Sequence, residues 1–378
     1  MKFFHLSDLH LGKNLHEFSL LEDQEYILKS ILGLADEQSP DAVLIAGDVF
    51  DRSVAPTEAL RLFDDFLGGL VRRNIEVYII SGNHDSADRL AFGARLMDVS
   101  GVHISKTYDK HIQRFAFKDA YGTVNVFLMP FLKPSTVRRF YPEEAIETWT
   151  DAVRVAIGHT QIDEMQRNVL LAHQFVTGAQ TCESEEINIG GADNVDAEVF
   201  NAFDYVALGH LHGAQSVAQK TIRYCGTPIK YSFSEAKHKK TVSVVTLREK
   251  GDIIVEEIPL VPLRDLREIR GDYLLVTSRA FYQDQNTDDY IRITLTDEED
   301  QPDAMKKLRV IYPNLMRLDY DNQRTRSNNA LMGVSQEQAY RPMELFEMFY
   351  EMQNGQGISQ TQRDCLDELI QGIWEGGR

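Results

Sequence analysis

The sequence predicts an α/β fold in which parallel strands are flanked by helices. Three short apolar runs near the N-terminus, residues 2–6, 42–46 and 77–80, each end in a polar turn, and segments with helical periodicity separate them. The second run, Ala-Val-Leu-Ile-Ala, is continuously apolar, as in a strand that is buried on both faces. Strand, turn and helix in repetition indicate crossover connections, which favour parallel pairing.

Each further element follows from its pattern of apolar residues. Residues 20–37 and 57–73 carry apolar side chains three or four positions apart, which predicts a helix in each segment, and residues 88–99 predict another. Apolar runs predict strands at 124–129, 153–157, 169–172, 205–208, 222–225, 241–246 and 253–258. The last three are expected to be antiparallel and to complete a second sheet, so that helices flank two packed sheets.

The sequence changes character near Pro262, where the charged segment 264–271 begins. Residues 271–321 predict a small α/β domain. Its expected elements are strands at 273–277, 290–295 and 315–320 and a helix at 303–311.

The C-terminal residues predict two helices, at 342–353 and 361–374. Ser359 and Gln362 have the spacing of a capping box, which marks the start of the second helix. That helix has an apolar face made of Leu366, Leu369, Ile370, Ile373 and Trp374. The sequence therefore predicts three parts, residues 1–262, 271–321 and 334–376.

Composition narrows the function. At 378 residues the chain exceeds one compact core, and its formal net charge of -18 argues against a stand-alone nucleic-acid binder. Clustered carboxylates can nevertheless hold divalent cations, which reverse the local field. Three scattered cysteines match neither a disulfide framework nor a zinc site, and no apolar run approaches the roughly 20 residues of a membrane span, so we expect a cytoplasmic protein. The short basic segments 138–139, 237–240 and 264–270 are expected to be ordinary surface.

Polar side chains collect at the ends of the predicted strands. Ligands of open α/β sheets bind beyond the carboxyl ends of the strands, so these side chains are expected to converge. Carboxylate, amide and imidazole ligands without thiolates suit Mn, Fe or Zn, and oxygen-rich sets favour Mn or Mg. Seven such ligands are too many for one tetrahedral ion but suit two ions that share a carboxylate. The candidate ligands are Asp8, His10, Asp48, Asn83, His173, His210 and His212, with His84 beside them as a candidate proton donor.

Each motif also has an ordinary explanation when it is taken alone. Asp-x-His and His-x-His occur in many strands without function, Asn-His-Asp is common in turns, and Asp48 after Gly47 could cap a helix or turn. Five separate strand ends that all carry metal-type residues favour a functional site. The other histidines, His5, His16, His103, His111, His159 and His238, show no such placement and are expected to be structural or on the surface.

Taken together, the motifs resemble those of the calcineurin-like metallophosphoesterases. The ordered set is Asp8-x-His10, Gly47-Asp48, Gly82-Asn83-His84-Asp85, His173 and Gly209-His210-x-His212. Within that superfamily, residues 5–12, 47–51 and 172–175 are similar to the bacterial SbcD nuclease subunits. The resemblance extends over essentially the whole chain.

The resemblance implies a fold and a role for each site residue. The fold would be the two-sheet metallophosphoesterase sandwich, followed by a small capping domain and a C-terminal helical hairpin. The two ligand sets would be Asp8, His10, Asp48 and His212 for one metal, and Asp48, Asn83, His173 and His210 for the other. His84 would be the general acid or would orient the phosphate, and Asp51 could orient His84.

The resemblance also implies a Mn-dependent DNA nuclease, exonucleolytic on duplex ends and endonucleolytic on single strands or hairpins. Family members work in DNA repair and recombination with an SMC-like ATPase, SbcC, whose coiled coil docks the C-terminal helices, and they dimerise through helices of the phosphoesterase domain. The alternative is a metallophosphoesterase for small phosphoesters or phosphoproteins. The appended domain at 271–321 and the paired C-terminal helices favour the nuclease, because a small-molecule enzyme needs neither.

Overall fold

The computed structural model describes residues 1–182, 185, 193–323, 325, 343, 346–347, 350, 358–363 and 366. Most of the predicted C-terminal helices, and residues 183–184 and 186–192, therefore lie outside the described residues. Ser359 and Gln362 make the predicted capping box: Ser359 N donates to Gln362 Oε1 (2.8 Å), and Gln362 N donates to Ser359 Oγ (3.4 Å). None of the described helices combines the length and apolar character that a membrane span requires.

The helices and strands are as follows. The helices are α1 Leu21–Gln38, α2 Thr57–Val71, α3 Ala87–Leu90, α4 Ala94–Met97, α5 Pro134–Arg138, α6 Trp149–Gly158, α7 Tyr273–Thr277, α8 Arg279–Tyr282 and α9 Ala304–Leu308. The first strands are β1 Lys2–Leu6, β2 Asn14–Leu15, β3 Phe18–Ser19, β4 Ala42–Ala46, β5 Glu76–Ile80, β6 Val102–Ile104, β7 Gln113–Asp119, β8 Gly122–Leu128 and β9 Arg167–His173. The later strands are β10 Tyr205–Gly209, β11 Gln215–Val217, β12 Gln219–Tyr224, β13 Thr241–Leu247, β14 Ile253–Pro259, β15 Leu266–Gly271, β16 Tyr290–Leu295 and β17 Leu315–Tyr320.

Two six-stranded sheets form the larger part of the fold. The first has the order β14-β13-β1-β4-β5-β6, in which β1, β4, β5 and β6 are parallel, as predicted. The second has the order β11-β12-β10-β9-β8-β7, in which β8, β9, β10 and β12 are parallel. A separate sheet has the order β15-β16-β17.

The expectation for the last strands of the two sheets was wrong in two respects. Strand β12 pairs parallel to β10, and β13 and β14 belong to the first sheet, where β13 runs antiparallel to β1. Strand β13 gives β1 a partner on its second side, which a lone edge strand would lack. Such long-range pairing has no local sequence signal, because any apolar strand fits either sheet.

Alternate residues of the central strands face two different apolar layers. In β4, Val43 and Ile45 pack with α1 and α2, whereas Ala42 and Leu44 face the second sheet. On the far side of the second sheet, α6 packs through Val153 and its neighbours. The fully apolar runs therefore belong to strands that are covered on both sides, as the sequence predicts.

Three predicted elements differ in the structure. Residues 153–157 form part of helix α6, and residues 273–277 form helix α7. Both helices have an N-cap residue that overrides the β-branched composition: Thr148 accepts from Asp151 N, and Asp272 accepts from Leu275 N. The predicted helix at 88–99 is divided into α3, α4 and a 3-10 turn, because Gly93 takes a left-handed conformation with φ of 77°.

The described chain divides into two compact units. The first contains Met1–Ile269, Gln285–Arg292 and Leu308–Arg317, and the second contains Arg270–Asp284, Ile293–Lys307 and Leu318–Arg378. The functional domains at 1–262, 271–321 and 334–376 stay a prediction.

Candidate metal centre

The polar turns of five parallel strands meet at one edge of the two sheets. Asp8 follows β1, Asp48 follows β4 and Asn83 follows β5 in the first sheet, while His173 ends β9 and His210 follows β10 in the second. Within the first sheet β1, β4 and β5 run parallel to one another, and within the second sheet β9 and β10 do so, so the carboxyl ends of these strands lie together in each sheet. The sheet topology thus brings together side chains that are far apart in the sequence.

The turns that carry the carboxylates have unusual backbone conformations. Asp8, His10, Asp48 and His210 have φ of 51°, 43°, 49° and 103°, and they are four of the ten non-glycine residues with positive φ in the described chain. Each such conformation costs on the order of 1–3 kcal/mol, so the surrounding structure must hold it. Two main-chain hydrogen bonds do so, Asp8 N to Gly47 O and His10 N to Asp48 O, both 3.0 Å.

Glycine is required where two of these turns touch. A Cβ on Gly82 would lie 2.1 Å from Asp48 Oδ1, and a Cβ on Gly47, whose φ is 91°, would lie 2.4 Å from His173 Nδ1. No side chain fits at such distances. The close approach of the turns is therefore built into the sequence at these two glycines.

The candidate ligands form overlapping groups. Single ligand atoms lie within 4.8 Å of one another in three groups: Asp8, His10 and His212; Asp8, Asp48 and His173; and His10, Asp48 and His84. Asn83 Oδ1 lies 3.0 Å from His173 Nε2 and 3.0 Å from His210 Nδ1. The structure brings all eight predicted site residues into one cluster.

The chemistry of the cluster fits a divalent cation. His10 is only 1% exposed, and neither of its ring nitrogens has a hydrogen-bond partner. A buried polar group left unpaired costs roughly 1–3 kcal/mol. A cation on His10 would satisfy such a nitrogen, and the carboxylates of Asp8 and Asp48 supply the negative charge that a cation needs.

Burial and charge set the protonation of the cluster. Burial lowers the pKa of His210 to about 3 and lowers that of His10 well below its ordinary value, so both imidazoles are neutral, as ligands must be. Burial opposes a charge on His173 too, but the carboxylate of Asp48 prevails and raises its pKa to about 9. A proton on His173 thus supplies positive charge beside Asp48, and a bound cation would replace it.

His84 differs from the other residues of the cluster in exposure and in contacts. Its side chain is 19% exposed, whereas those of His10 and Asp48 are nearly inaccessible. Its main-chain N donates to Asp48 Oδ1 (2.9 Å), and its ring Nδ1 lies 3.0 Å from the carbonyl oxygen of Asp51. With Nδ1 so occupied, Nε2 faces the cluster, 4.0 Å from Asp48 Oδ2.

Asp51 contacts His84 in a different way from the one expected. The main-chain carbonyl of Asp51, not its carboxylate, meets the ring of His84. The carboxylate instead accepts from Lys13 Nζ (2.6 Å) and lies 3.8 Å from His10 Nδ1. A side-chain substitution at Asp51 would therefore leave the bond to His84 in place.

Sequence reasoning missed two carboxylates that support the cluster. Asp85 accepts main-chain hydrogen bonds from Gly82, Val49 and Phe50, which ties the turn after β5 to the turn after β4. Its position at the end of Gly-Asn-His-Asp was a usable signal. Glu235 lies against His212, and no local motif marks it.

The histidines outside the cluster have other contacts. His5 Nδ1 lies 3.0 Å from the hydroxyl of Tyr205, a contact between a strand of the first sheet and a strand of the second. His103 Nε2 lies 2.7 Å from a carboxylate oxygen of Glu76. Neither ring points into the group of candidate ligands.

Family models match an N-terminal and a C-terminal segment of the chain, and a known protein matches nearly all of it. A model described as calcineurin-like phosphoesterase matches residues 1–214, and a model described as type 5 capsule protein repressor C-terminal domain matches residues 262–354. The SbcD component of the nuclease SbcCD of Staphylococcus epidermidis is 31% identical over 377 residues, which covers 98% of each chain.

Solved structures give weaker similarities. A dimetal phosphatase from Danio rerio is 11% identical, covers 69% of this chain and 96% of its own, and has a TM-score of 0.43. A phosphoesterase from E. coli is 14% identical, covers 69% of this chain and 100% of its own, and has a TM-score of 0.28. Neither likeness is strong enough to carry an argument.

Proposed function

The chain belongs to the calcineurin-like phosphoesterase family and is a homologue of the SbcD nuclease subunits, and on this premise we propose that it is a Mn²⁺-dependent DNA nuclease with two metal ions. It is a hydrolase of phosphodiester bonds, and its family uses divalent metal ions. The observation that carries the proposal is the cluster of carboxylate, amide and imidazole ligands at the carboxyl ends of the strands.

The ligands divide into two sets that share one carboxylate. We assign Asp8, His10, Asp48 and His212 to one ion and Asp48, Asn83, His173 and His210 to the other. Asp48 Oδ2 lies 3.8 Å from His10 Nε2 and 3.3 Å from His173 Nε2, which supports a bridging position.

The residues around the ions have separate tasks. When bound, two divalent cations polarise a phosphoryl oxygen and lower the pKa of water. His84 lies beside the cluster with Nε2 facing it, where it can give a proton to the leaving oxygen of the cleaved strand. The Asp51 carbonyl accepts from Nδ1–H of the same ring and so keeps Nε2 turned toward the cluster.

The remaining parts of the chain are assigned to DNA and to a partner. We propose that residues 271–321 cap DNA and that residues 334–376 dock the coiled coil of an SbcC-type ATPase. The second family model, over residues 262–354, and the name of the staphylococcal relative as a component of SbcCD support this assignment. The protein would then act in the cytoplasm on chromosomal DNA, in repair and recombination.

An exposed apolar surface supports a homodimer within that complex. Phe92, Leu96 and Val99 are 84%, 81% and 89% exposed on the segment that contains α3 and α4. Phe92 and the half-exposed Leu60 of α2 also line a hollow of about 430 Å³. Large exposed apolar side chains in one region mark an interaction surface, and a second copy of the chain would bury them.

Mn²⁺-dependent digestion tests the function. The purified full chain, with and without its ATPase partner, is incubated with blunt linear duplex DNA and, separately, with p-nitrophenyl phosphate esters. The nuclease assignment predicts DNA cleavage that requires Mn²⁺ and is lost on chelation. Hydrolysis of the small esters without any DNA cleavage, even with the ATPase present, would favour the alternative enzyme of small phosphoesters.

A further inference from the structure

A buried carboxylate stands directly behind one of the proposed metal ligands. Glu235 is fully buried at the end of a 3-10 turn, and its Oε1 lies 3.1 Å from His212 Nδ1. His212 also belongs to the group with Asp8 and His10. With Nδ1 bonded to Glu235, Nε2 of the same ring is the nitrogen left for that group.

The carboxylate is itself held in place by a buried lysine. Lys240 Nζ donates to Glu235 Oε2, to Thr227 Oγ1 (2.6 Å) and to the carbonyl oxygen of His212 (2.9 Å), so all three of its N–H groups have partners. Thr227 Oγ1 also donates to Glu235 Oε2 (3.3 Å). Lys240 was expected to lie on an ordinary basic surface, but it is only 8% exposed. The lysine therefore fixes both the carboxylate and the main chain of the ligand.

Two other proposed histidine ligands, His173 and His10, have weaker supports on the side that faces away from the centre. His173 Nδ1 donates to the carbonyl oxygen of Ala46 (2.7 Å), which carries no net charge. His10 Nδ1 lies 3.8 Å from Asp51 Oδ1, beyond hydrogen-bond distance. A carboxylate bonded to a ligating histidine fixes its tautomer and makes the ring a stronger donor to the metal.

We propose that Glu235 is a positioning residue for His212 and that it sets the affinity of the metal position formed by Asp8, His10, Asp48 and His212. The proposal rests on the two ligand sets of the proposed function. Loss of the carboxylate lets the ring of His212 rotate and take the other tautomer. The affinity of that one position then falls, while the position at His173 keeps its own support.

The test uses a variant in which no buried charge is left alone. Glu235→Leu together with Lys240→Met replaces both members of the ion pair by apolar side chains and removes the acceptor of His212 Nδ1, and folded proteins commonly tolerate such a replacement of a buried pair. Mn²⁺ is titrated into the metal-free full chain, and binding is followed by calorimetry and by electron paramagnetic resonance. We expect wild type to bind two ions with an exchange-coupled signal. The variant should bind one ion about 10- to 100-fold more weakly and show the signal of isolated Mn²⁺ at the same loading.

Asp119→Asn is the matched control. It breaks a second ion pair, that of the partly buried Asp119 with the buried Arg167, in the same unit and away from the ligands. It should leave both Mn²⁺ affinities unchanged. Equal weakening by the control and by the double variant would mean that general destabilisation is responsible and would overturn the role of Glu235.

The outcomes separate this inference from the proposed function. If wild type binds two ions and the double variant binds both with unchanged affinity, Glu235 is not a positioning residue, while the dinuclear site stands. If wild type binds fewer than two ions, the dinuclear assignment fails, and the inference fails with it.

Discussion

The two sheets contribute different sets of proposed ligands to one centre and hold them by different means. The first sheet carries the proposed oxygen ligands, such as Asp8 and Asp48, together with the imidazole of His10, on turns whose positive φ is fixed by main-chain hydrogen bonds between neighbouring turns. The proposed ligands of the second sheet are all imidazoles, which are fixed by partners elsewhere in the fold. His173 bonds to a carbonyl of the first sheet, and His212 bonds to Glu235.

Each half of the centre is therefore sensitive to a different kind of substitution. On the first sheet, the backbone and its glycines position the proposed ligands, so adding even one methyl group to a turn displaces them. On the second sheet, hydrogen-bond partners position the imidazole rings, so a substitution far away in the sequence can displace a ring. His84 belongs to the first sheet but would carry a proton, which gives that sheet a second task.

Among the substitutions, His84→Ala should have the largest effect, and it distinguishes a role in proton transfer from a role in metal binding. His84→Ala should lower kcat of DNA cleavage by about 10²- to 10⁴-fold, the usual contribution of a general acid, while two Mn²⁺ ions remain bound. Single-turnover cleavage and elemental analysis measure the two quantities. Loss of an ion together with activity would instead make His84 a ligand. His159→Ala, which removes a ring stacked on Tyr141, should change neither quantity.

A smaller effect is expected from a single methyl group in the turn after β5. In Gly82→Ala the new Cβ would lie 2.1 Å from Asp48 Oδ1, so the turn must shift. We expect a loss of about 1–3 kcal/mol in the free energy of unfolding, the usual cost of overpacking, together with weaker Mn²⁺ binding. Urea unfolding and a Mn²⁺ titration measure these changes.

Gly33→Ala is the control for that substitution. Gly33 is exposed in α1, and a Cβ there would meet nothing within 4 Å. Alanine at such a helical position should stabilise the protein by about 0.4–1 kcal/mol. A Gly82→Ala protein that is as stable as wild type and binds Mn²⁺ equally well would show that the turn can relax without cost.

The smallest effect on the centre is expected at the opposite ends of the strands. Arg167 and the N-terminal ammonium both donate to Asp119, and the bonds from Arg167 are the main reason that the pKa of Asp119 lies well below its usual value. Asp119→Asn should cost about 1.5–3 kcal/mol of stability at neutral pH without changing nuclease activity.

The pH dependence of this pair follows from the direction of the shift. An unfolded Asp119 takes up a proton near pH 3.9, above the pKa of the folded state, so the stabilisation is complete above that pH and is lost as pH falls through the lower pKa. The difference in unfolding free energy between wild type and Asp119→Asn should therefore narrow below about pH 4. A difference that is constant with pH would exclude an ionic contribution.

Much of the fold could be predicted from local patterns. The runs in β1, β4, β5, β9 and β10 and the helices α1 and α2 lie where the sequence indicates, because buried parallel strands and amphipathic helices have strong periodic signals. Short helices and strands are harder to predict, because they contain too few residues to show a clear periodicity. The five residues of helix α7 are mostly apolar or β-branched and so predict a strand, whereas the N-cap at Asp272 favours the helix that the structure shows.

The candidate site could be predicted because its residues follow those strands directly. Asp8, Asp48 and Asn83 come within a few positions of a strand end, so the sequence alone implied that they converge. Glu235 could not be found in this way. It contacts His212 from 23 positions away, and a lone Glu in a Ser-Phe-Ser-Glu segment has no spacing that indicates a ligand support.

The candidate ligands and the strand ends that carry them can be predicted from local sequence, because each is encoded within a few neighbouring residues. The tertiary structure alone decided how the two sheets pair their outer strands, which backbone carbonyl meets each imidazole, and that a buried lysine and glutamate stand behind His212. Those features depend on contacts between distant segments. Such contacts form when the two sheets bury these polar groups, because a buried polar group without a hydrogen bond raises the free energy of the folded state.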